Sequence, residues 1–489
     1  MRRYNTIMVL AMISLFLTTQ LFAAGIDLTG MGARAQAMGG NYRAISDDWS
    51  ALFWNPAGMA FTNGWTAGFS SELIGVNVGY TPGMYNGMPF SVVNTTETEN
   101  EPKTYVVPSG GLYYSTGNMA FGLGVWAPFG LGAKWDLMNT SNYNSLYPKY
   151  DYDDDLMVIV VQPTFAYKLS DKLSVGLGVG LVSASIKIEK PTFTRNPLFA
   201  YNNPAAPLYS LLDGTDSFNS NFNHIITDTK LDGDGMGFTA NIGLMYKATE
   251  CLTIGASMQY YSTISLDGTV DATTYYPNNV ANLKPTLDAA LNGGLIDLAT
   301  YKTLLGAYSG TAQNLHNGLK VKADMPLPTR IGLGVAWTGI ENLIVSADVA
   351  YSQWSTWDVI DIKDASIDTS VSQLSENWED GVRFGVGAEY DFGVLAARAA
   401  WYTEPNAAVP STMTPSIPDF NRRHSLMLGV GVPFGPLVLH ASFEKILVGD
   451  ETVSDAEWNY NTEYKGYDNL AGEYDMNINI VMFGLDYRF

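Results

Sequence analysis

The sequence predicts an all-β transmembrane protein, a fourteen-stranded antiparallel outer-membrane β-barrel with an N-terminal hatch, or plug, in its lumen. Three observations predict it. Segment after segment alternates between large apolar and small or polar residues. The breaks between these segments alternate between short turns and long polar stretches. A compact Gly- and Ala-rich stretch lies ahead of the first alternating segment, directly behind an export signal.

The signal comes first in the chain. Arg2 and Arg3 form a basic start, Ile7 to Phe16 a short apolar run, and Ala23-Ala24 a small-residue cleavage site. Cleavage is expected after Ala23, so residues 1–23 are assigned to the signal peptide. No other apolar run is long enough for a spanning helix. No cysteine stands directly after the cleavage site, which excludes a lipoprotein, and Cys251 is alone, which excludes an intramolecular disulfide.

Residues 24–64 come next and are expected to form the hatch. The stretch from Gly25 to Trp65 has small residues at close spacing and contains Asn55-Pro56-Ala57. By itself Asn-Pro-Ala is a turn, since proline fixes φ and removes a donor. Inside a plug, the Asn55 amide could also hold the segment to the wall.

Residues 65–489 are expected to form the barrel. Phe238, Ala240, Ile242, Leu244 and Tyr246 alternate with Thr239, Asn241 and Gly243. Leu173 to Leu181, Ile331 to Trp337 and Val382 to Tyr390 behave alike. Successive side chains of a strand point to opposite faces, so one face suits lipid and the other a crowded interior. Short turns fall at 115–118, 169–172, 248–251, 338–342, 391–394 and 433–436. Long stretches fall between them at 82–103, 131–155, 188–236, 267–328, 359–380, 403–423 and 448–475. Outer-membrane barrels have short periplasmic turns and long external loops, so these breaks give about fourteen strands and two periplasmic termini. The last strand ends at Phe489, a terminal aromatic of the kind read by the barrel-insertion machinery. Its alternation fails above Val481, where a bulge or an apolar lumen would explain Asn477 and Asn479.

Composition agrees. The mean hydropathy is 0.00, as expected where lipid-facing and lumen-facing residues cancel. The balance of 27 basic and 48 acidic residues, net −21, excludes nucleic acid as a partner, because phosphate contact needs clustered Lys and Arg. Acidic runs such as Asp151 to Asp155 read as solvated loops or as places for a divalent cation. Two loops carry unusual apolar content: Leu208 to Phe218, and Leu283 to Leu305 with Leu287 and Leu291. Local packing and an external ligand groove both account for it.

With these residues in view, the chain resembles the outer-membrane long-chain fatty-acid and aromatic-hydrocarbon transport family, the FadL-like proteins. The resemblance covers essentially the whole mature chain. It rests on Gly30 through Met38-Gly39-Gly40 and Asp47-Asp48 to Asn55-Pro56-Ala57-Gly58, and on Trp126-Ala127-Pro128-Phe129-Gly130. It rests also on Pro328-Thr329-Arg330 to Trp354-Ser355, and on Asn377-Trp378 through Glu389-Tyr390 to Arg398. The resemblance implies passive transport of a fatty acid or aromatic hydrocarbon, with external capture, hatch gating at Asn55, Pro56 and Ala57, and release sideways into outer-membrane lipid. It implies an inward kink of the third strand at Ala127, Pro128, Phe129 and Gly130. It implies a basic residue near the substrate carboxylate, which by local match is Lys190. Substrate contact is further assigned to Leu287 and Leu291. No cofactor, metal or catalytic residue is expected, and a monomer is expected.

Two rival readings remain. One is an adhesin or phage-receptor barrel without transport. The other is an outer-membrane enzyme seeded by His440, Ser442 and Glu444 on one strand face. Residues two apart on a strand sit about 7 Å apart, too far for a direct nucleophile–base bond. Gly176-Leu177-Gly178-Val179-Gly180 mimics a dinucleotide fingerprint but lies in an alternating strand with no following helix.

The topology is testable directly. Cysteines placed at Asp171 or Gly435 should react with a membrane-impermeant maleimide only from the periplasm. Those placed within 267–328 should react on intact cells, and the opposite pattern would invert the barrel.

Overall fold

The computed structural model describes residues 25–488 except 29, 86–87, 90–92, 94–95, 195–207, 209–223, 455–456, 458–459, 462–465 and 468. The proposed signal peptide, the segment 209–218 and Phe489 therefore lie outside the described residues.

The wall is a closed 14-stranded antiparallel barrel. Its strands are β1 (Gly64–Pro82), β2 (Thr104–Thr116), β3 (Met119–Trp135), β4 (Tyr152–Ser170), β5 (Leu173–Thr194) and β6 (Ile225–Lys247). Four interrupted strands follow: β7 (Leu252–Tyr261, Ile264–Tyr275), β8 (Ala312–Met325, Arg330–Ile340), β9 (Leu343–Ser352, Val359–Asp364) and β10 (Ser370–Ser375, Gly381–Asp391). The last are β11 (Ala396–Glu404), β12 (Arg423–Phe434), β13 (Leu437–Leu447) and β14 (Gly472–Arg488). Neighbours in sequence are neighbours in the wall, and β14 closes on β1 from Thr66↔Arg488 to Pro82↔Gly472. Closure leaves no edge strand, which is what lets a sheet stand in hydrocarbon.

The outer face shows where the membrane lies. On β6, Met236, Phe238, Ile242, Leu244 and Tyr246 are exposed. That run is about the nine to eleven residues a tilted strand needs to cross. Beyond it the same face carries Asp234 and Asp232. On β8, Ile331, Leu333, Val335 and Trp337 are exposed, and Asp324 and Lys322 follow past the break. The interruptions of β7 to β10 thus fall where apolar surface gives way to charge. There Pro326 and Pro328 cost no ladder bonds within lipid. Exposed Trp65, Tyr114, Tyr246, Trp337 and Tyr390 ring the short-turn end, as aromatic girdles do.

The inner face of β14 settles its failed alternation. No bulge occurs. Ile478, Ile480 and Met482 point inward at 7%, 2% and 1% exposure, and Asn477 and Asn479 point outward. The lumen is apolar at this height.

Residues 25–61 cross the lumen. Helix α1 (Ala33–Ala37) lies against β12 and β13. Gly39 and Gly40, at φ +68° and +66°, turn the chain out of it, a conformation only glycine adopts freely. Helix α2 (Ala51–Trp54) and a 3₁₀ helix (Pro56–Phe61) follow. The segment meets inward-facing residues of every strand, from Gly68 of β1 under Trp49 to Gly484 of β14 under Ala33. The small inner face allows this. At Gly176, Gly243, Gly255 and Gly387 an added Cβ would overlap the backbone or side chains of the segment.

Gly255→Val should therefore displace the backbone at Arg43. We expect a correctly inserted barrel, destabilised by about 1–3 kcal/mol, the usual cost of overpacking. Residues 25–61 should become sensitive to protease, and unchanged protection would mean the segment tolerates a shift.

Candidate functional site

Asn55 is fully buried and ties the segment in three directions. Its Oδ1 accepts the Ala57 N–H at 3.1 Å and so caps the 3₁₀ helix, with Pro56 at the first helical position. Its Nδ2 donates to the carbonyls of Arg43 at 2.8 Å and Leu244 of β6 at 3.0 Å. Ser174 of β5 donates to the Ala57 carbonyl at 2.8 Å. Pro56 and Ala57 lie on Gly176. The turn and the wall contact suggested by the sequence coexist in this one residue.

Buried charges hold the rest of the segment. Arg34 meets Glu389 of β10 at 2.8 Å and Asp47 at 2.5 Å. Glu389 also accepts from Arg398 of β11, and His440 of β13 lies between Arg398 at 3.3 Å and Asp486 of β14 at 3.2 Å. Arg43 pairs with Asp348 of β9 at 3.0 Å, with side chains 9% and 4% exposed. Glu444 of β13, fully buried, accepts from Gln36, Tyr402 and Ser425. Ser442 donates to Gln36. His440 is thus committed to Arg398 and Asp486, while Ser442 and Glu444 both bond Gln36 and fasten the segment. Strand alternation marked them as lumen-facing, but not which partners they find.

The wall is broken at β3. Its ladder with β2 runs from Thr116↔Met119 to Gly110↔Val125 and stops. Its ladder with β4 shifts register between Trp126 and Phe129, so Ala127 and Pro128 form a bulge. A bulge inverts the facing of the residues beyond it. Ala120 and Trp126 are buried before it, Phe129, Ala133 and Trp135 after it. The missing partner strand is replaced by the N-terminal segment. The Leu28 N–H donates to the Pro128 carbonyl at 3.2 Å, and the Gly130 N–H donates to the Ile26 carbonyl at 3.1 Å. Asp27 pairs with Arg330 of β8, and the Gly25 N–H donates to Asp419 at 3.0 Å. Gly25 is packed against Trp354 and Trp378.

A cavity of about 460 Å³ lies at this break. Ile26, Leu28, Ile74, Val107, Ile446 and Ile478 wall it on the inside. Val106, Val125, Met157 and Ile159, which also line it, are exposed on the barrel's outer surface. The cavity therefore passes between β2 and β3 from the interior to the membrane face. None of the residues 25–28, nor Arg330 and Asp419, is singled out for this site by the sequence alone, because their pairing spans some 100 to 400 residues of chain.

Lys190, half-buried, borders a second cavity of about 220 Å³ toward the long-loop end, together with Phe193, Thr227 and His316. Leu287 needs a correction. Leu287 has no exposed surface. It packs with Leu283 and Leu304 of helices α3 (Val280–Asn292) and α4 (Leu298–Ala307), with Tyr308 just past α4, and with Leu208 of the preceding loop. Leu291 lies at the edge of the same cluster. The leucine repeat closes a helical pair on itself, so Leu287 offers no groove to a ligand. Among the described residues, no group of His, Cys, Asp or Glu is arranged to hold a metal.

Arg43→Met should leave Asp348 buried without its cation and cost about 3–5 kcal/mol. Adding Asp348→Leu should recover more than half of that, because the orphaned charge goes too. Heat-modified mobility of the purified variants in gels reads both. A double variant as unstable as the single would show the pair to be incidental.

A sequence model of the family described as outer membrane protein transport protein (OMPP1/FadL/TodX) matches residues 14–489. The long-chain fatty acid transport protein of Escherichia coli O6:H1 (strain CFT073) is 24% identical over 434 residues, 87% of this chain and 86% of that one. Among solved structures, a Pseudomonas aeruginosa FadL homologue superposes with a TM-score of 0.70 at 19% identity, over 95% of this chain and 100% of the other. The Pseudomonas putida toluene transporter TodX gives a TM-score of 0.63 at 18% identity, over 96% and 100%. At these identities the structural likeness establishes the fold, and the family match establishes kinship. The chain belongs to the OMPP1/FadL/TodX family of outer-membrane proteins that transport hydrophobic compounds.

Proposed function

We propose that this protein carries long-chain fatty acids inward by external capture, movement of a hatch formed by residues 24–64, and release sideways through the break beside Ala127 to Gly130. The observation that carries the reading is the cavity at β3, whose lining runs from Ile26 and Ile478 inside to Val106 and Met157 on the membrane face. An apolar substrate leaving there enters lipid without crossing water, which favours that route by about 25 cal/mol per Å² of apolar surface kept covered. The lumen below the cavity is filled by residues 25–61, held at Asn55 and by buried ion pairs, so a straight descent would have to break many of them.

Lys190 is the proposed carboxylate contact above the break, and Asn55, Pro56 and Ala57 are the proposed gate. The fatty-acid choice draws on the printed name of the Escherichia coli relative. The structural kinship with a toluene transporter makes aromatic hydrocarbons the competing substrate class.

Cross-linking tests the route. In a Cys251→Ser background, Val107→Cys and Ala127→Cys place two thiols in the apolar cluster across the break. Joining them with a short bis-maleimide should abolish uptake of labelled fatty acid by intact cells. Full uptake with the wall joined would favour a path straight past the hatch. Asn55→Ala should lower uptake while leaving the amount of inserted barrel unchanged. It removes three hydrogen bonds worth about 0.5–1.5 kcal/mol each.

A further inference from the structure

The break in the wall is not empty on its outer side. Between Gly110↔Val125 and the bond from the Glu101 N–H to the Lys134 carbonyl at 2.8 Å, no backbone hydrogen bond joins β2 to β3 among the described residues. Beyond the bulge, β3 presents Gly130 and Gly132 toward the gap, since Phe129, Ala133 and Trp135 now take the buried face. Tyr105 of β2 shares the parity of buried Val107 and Ser109, so its side chain points toward the displaced β3.

The ring of Tyr105 lies on Gly132. A Cβ at position 132 would overlap Cε1, Cζ and the hydroxyl oxygen of Tyr105. Gly132 does not have a positive φ, so glycine is needed there for space and not for backbone shape. Above the ring, Lys103 places its Nζ 4.6 Å from the ring centroid and 3.5 Å from Asp155 of β4. Lys103 and Asp155 thus reach across the top of the gap, past β3. Among the described residues the Tyr105 hydroxyl makes no hydrogen bond, so the ring can swing at the loss of contacts alone. Tyr105, Gly132, Lys103 and Asp155 all line the cavity that leads to the membrane face.

We propose that Tyr105 is a shutter across the outer half of this opening, and that its ring sets the width of molecule the protein releases into the membrane. This makes Tyr105 a specificity-determining residue, seated by the bare backbone of Gly132 and held by Lys103. The proposal rests on the lateral-release reading. It predicts a preference by breadth: unbranched chains slip past the ring, while branched or polycyclic hydrophobic acids require it to swing out.

Uptake by intact cells of a labelled unbranched fatty acid and of a labelled polycyclic aromatic acid tests it, each at saturating concentration and normalised to inserted barrel. Tyr105→Ala should raise uptake of the broad compound relative to the narrow one by about two- to fivefold, the scale of removing one exposed cation–π contact. Gly132→Ala should act in the same direction by pushing the ring outward. Tyr105→Phe should match the wild type, because the hydroxyl is unbonded. Equilibrium binding of both compounds to purified protein should be unchanged, since the shutter acts on exit. An unchanged ratio in Tyr105→Ala overturns the shutter if the Val107–Ala127 cross-link still abolishes uptake. If the cross-link leaves uptake intact, the lateral route itself fails, and the shutter with it. Should Tyr105→Ala fail to insert, Tyr105→Leu keeps the apolar bulk without the ring and gives the same comparison.

Discussion

Inside hydrocarbon no water is present to satisfy a backbone N–H or C=O, so each must find a partner within the protein. The closed ladder of this barrel meets that demand for almost the whole wall. It fails where Ala127 and Pro128 bulge out of register, and there the Leu28 N–H and the Ile26 carbonyl take the Pro128 carbonyl and the Gly130 N–H of β3. The N-terminal segment is therefore part of the wall as well as an occupant of the lumen. Whatever moves residues 25–28 uncovers backbone at the break, and whatever strains the break pulls on the segment. Asp27–Arg330 and Gly25–Asp419 extend that coupling to β8 and to the inward loop before β12.

Two kinds of packing hold the segment, and they answer different needs. The glycines of β1 to β14 let its backbone approach closely, which gives fit. The charged residues give position. A buried ion pair is weak support for stability, because desolvation offsets most of the attraction, while losing one partner is severe. Arg34, Arg43, Glu389 and Glu444 thus fix where the segment sits more than how strongly it is held. The chain Arg34–Glu389–Arg398–His440–Asp486 passes from the segment to the last strand, so correct seating and correct closure of the barrel are linked.

The apolar and polar parts of the lumen are separated by height. Asn55, Arg43 and Arg34 lie with the N-terminal segment. Ile478, Ile480, Val158, Val160 and Ile186 face inward beyond it. This division explains why β14 reads as an ordinary amphipathic strand below Val481 and as its inverse above. The residue pattern of a strand reports what lies on both of its faces, and here the inner neighbour changes from a polar segment to an apolar cavity.

The sequence by itself determined the barrel. Period-2 alternation at Phe238 to Tyr246 or Ile331 to Trp337 is local, and the alternation of short turns with long loops orders the strands without any distant contact. It also exposed the bulge-prone Pro128, since a proline between alternating residues cannot keep its ladder bond. It left two readings open for Leu287, and the structure decided for local packing, because the facing sides of α3 and α4 bury each other. Only the tertiary structure decided that residues 26–28 complete β3, that Tyr105 lies over Gly132, and which of many lumen-facing charges pair with Arg34 and Arg43. Those choices depend on which strands the closed sheet brings opposite each other, and residues 300 positions apart carry no local pattern that records it.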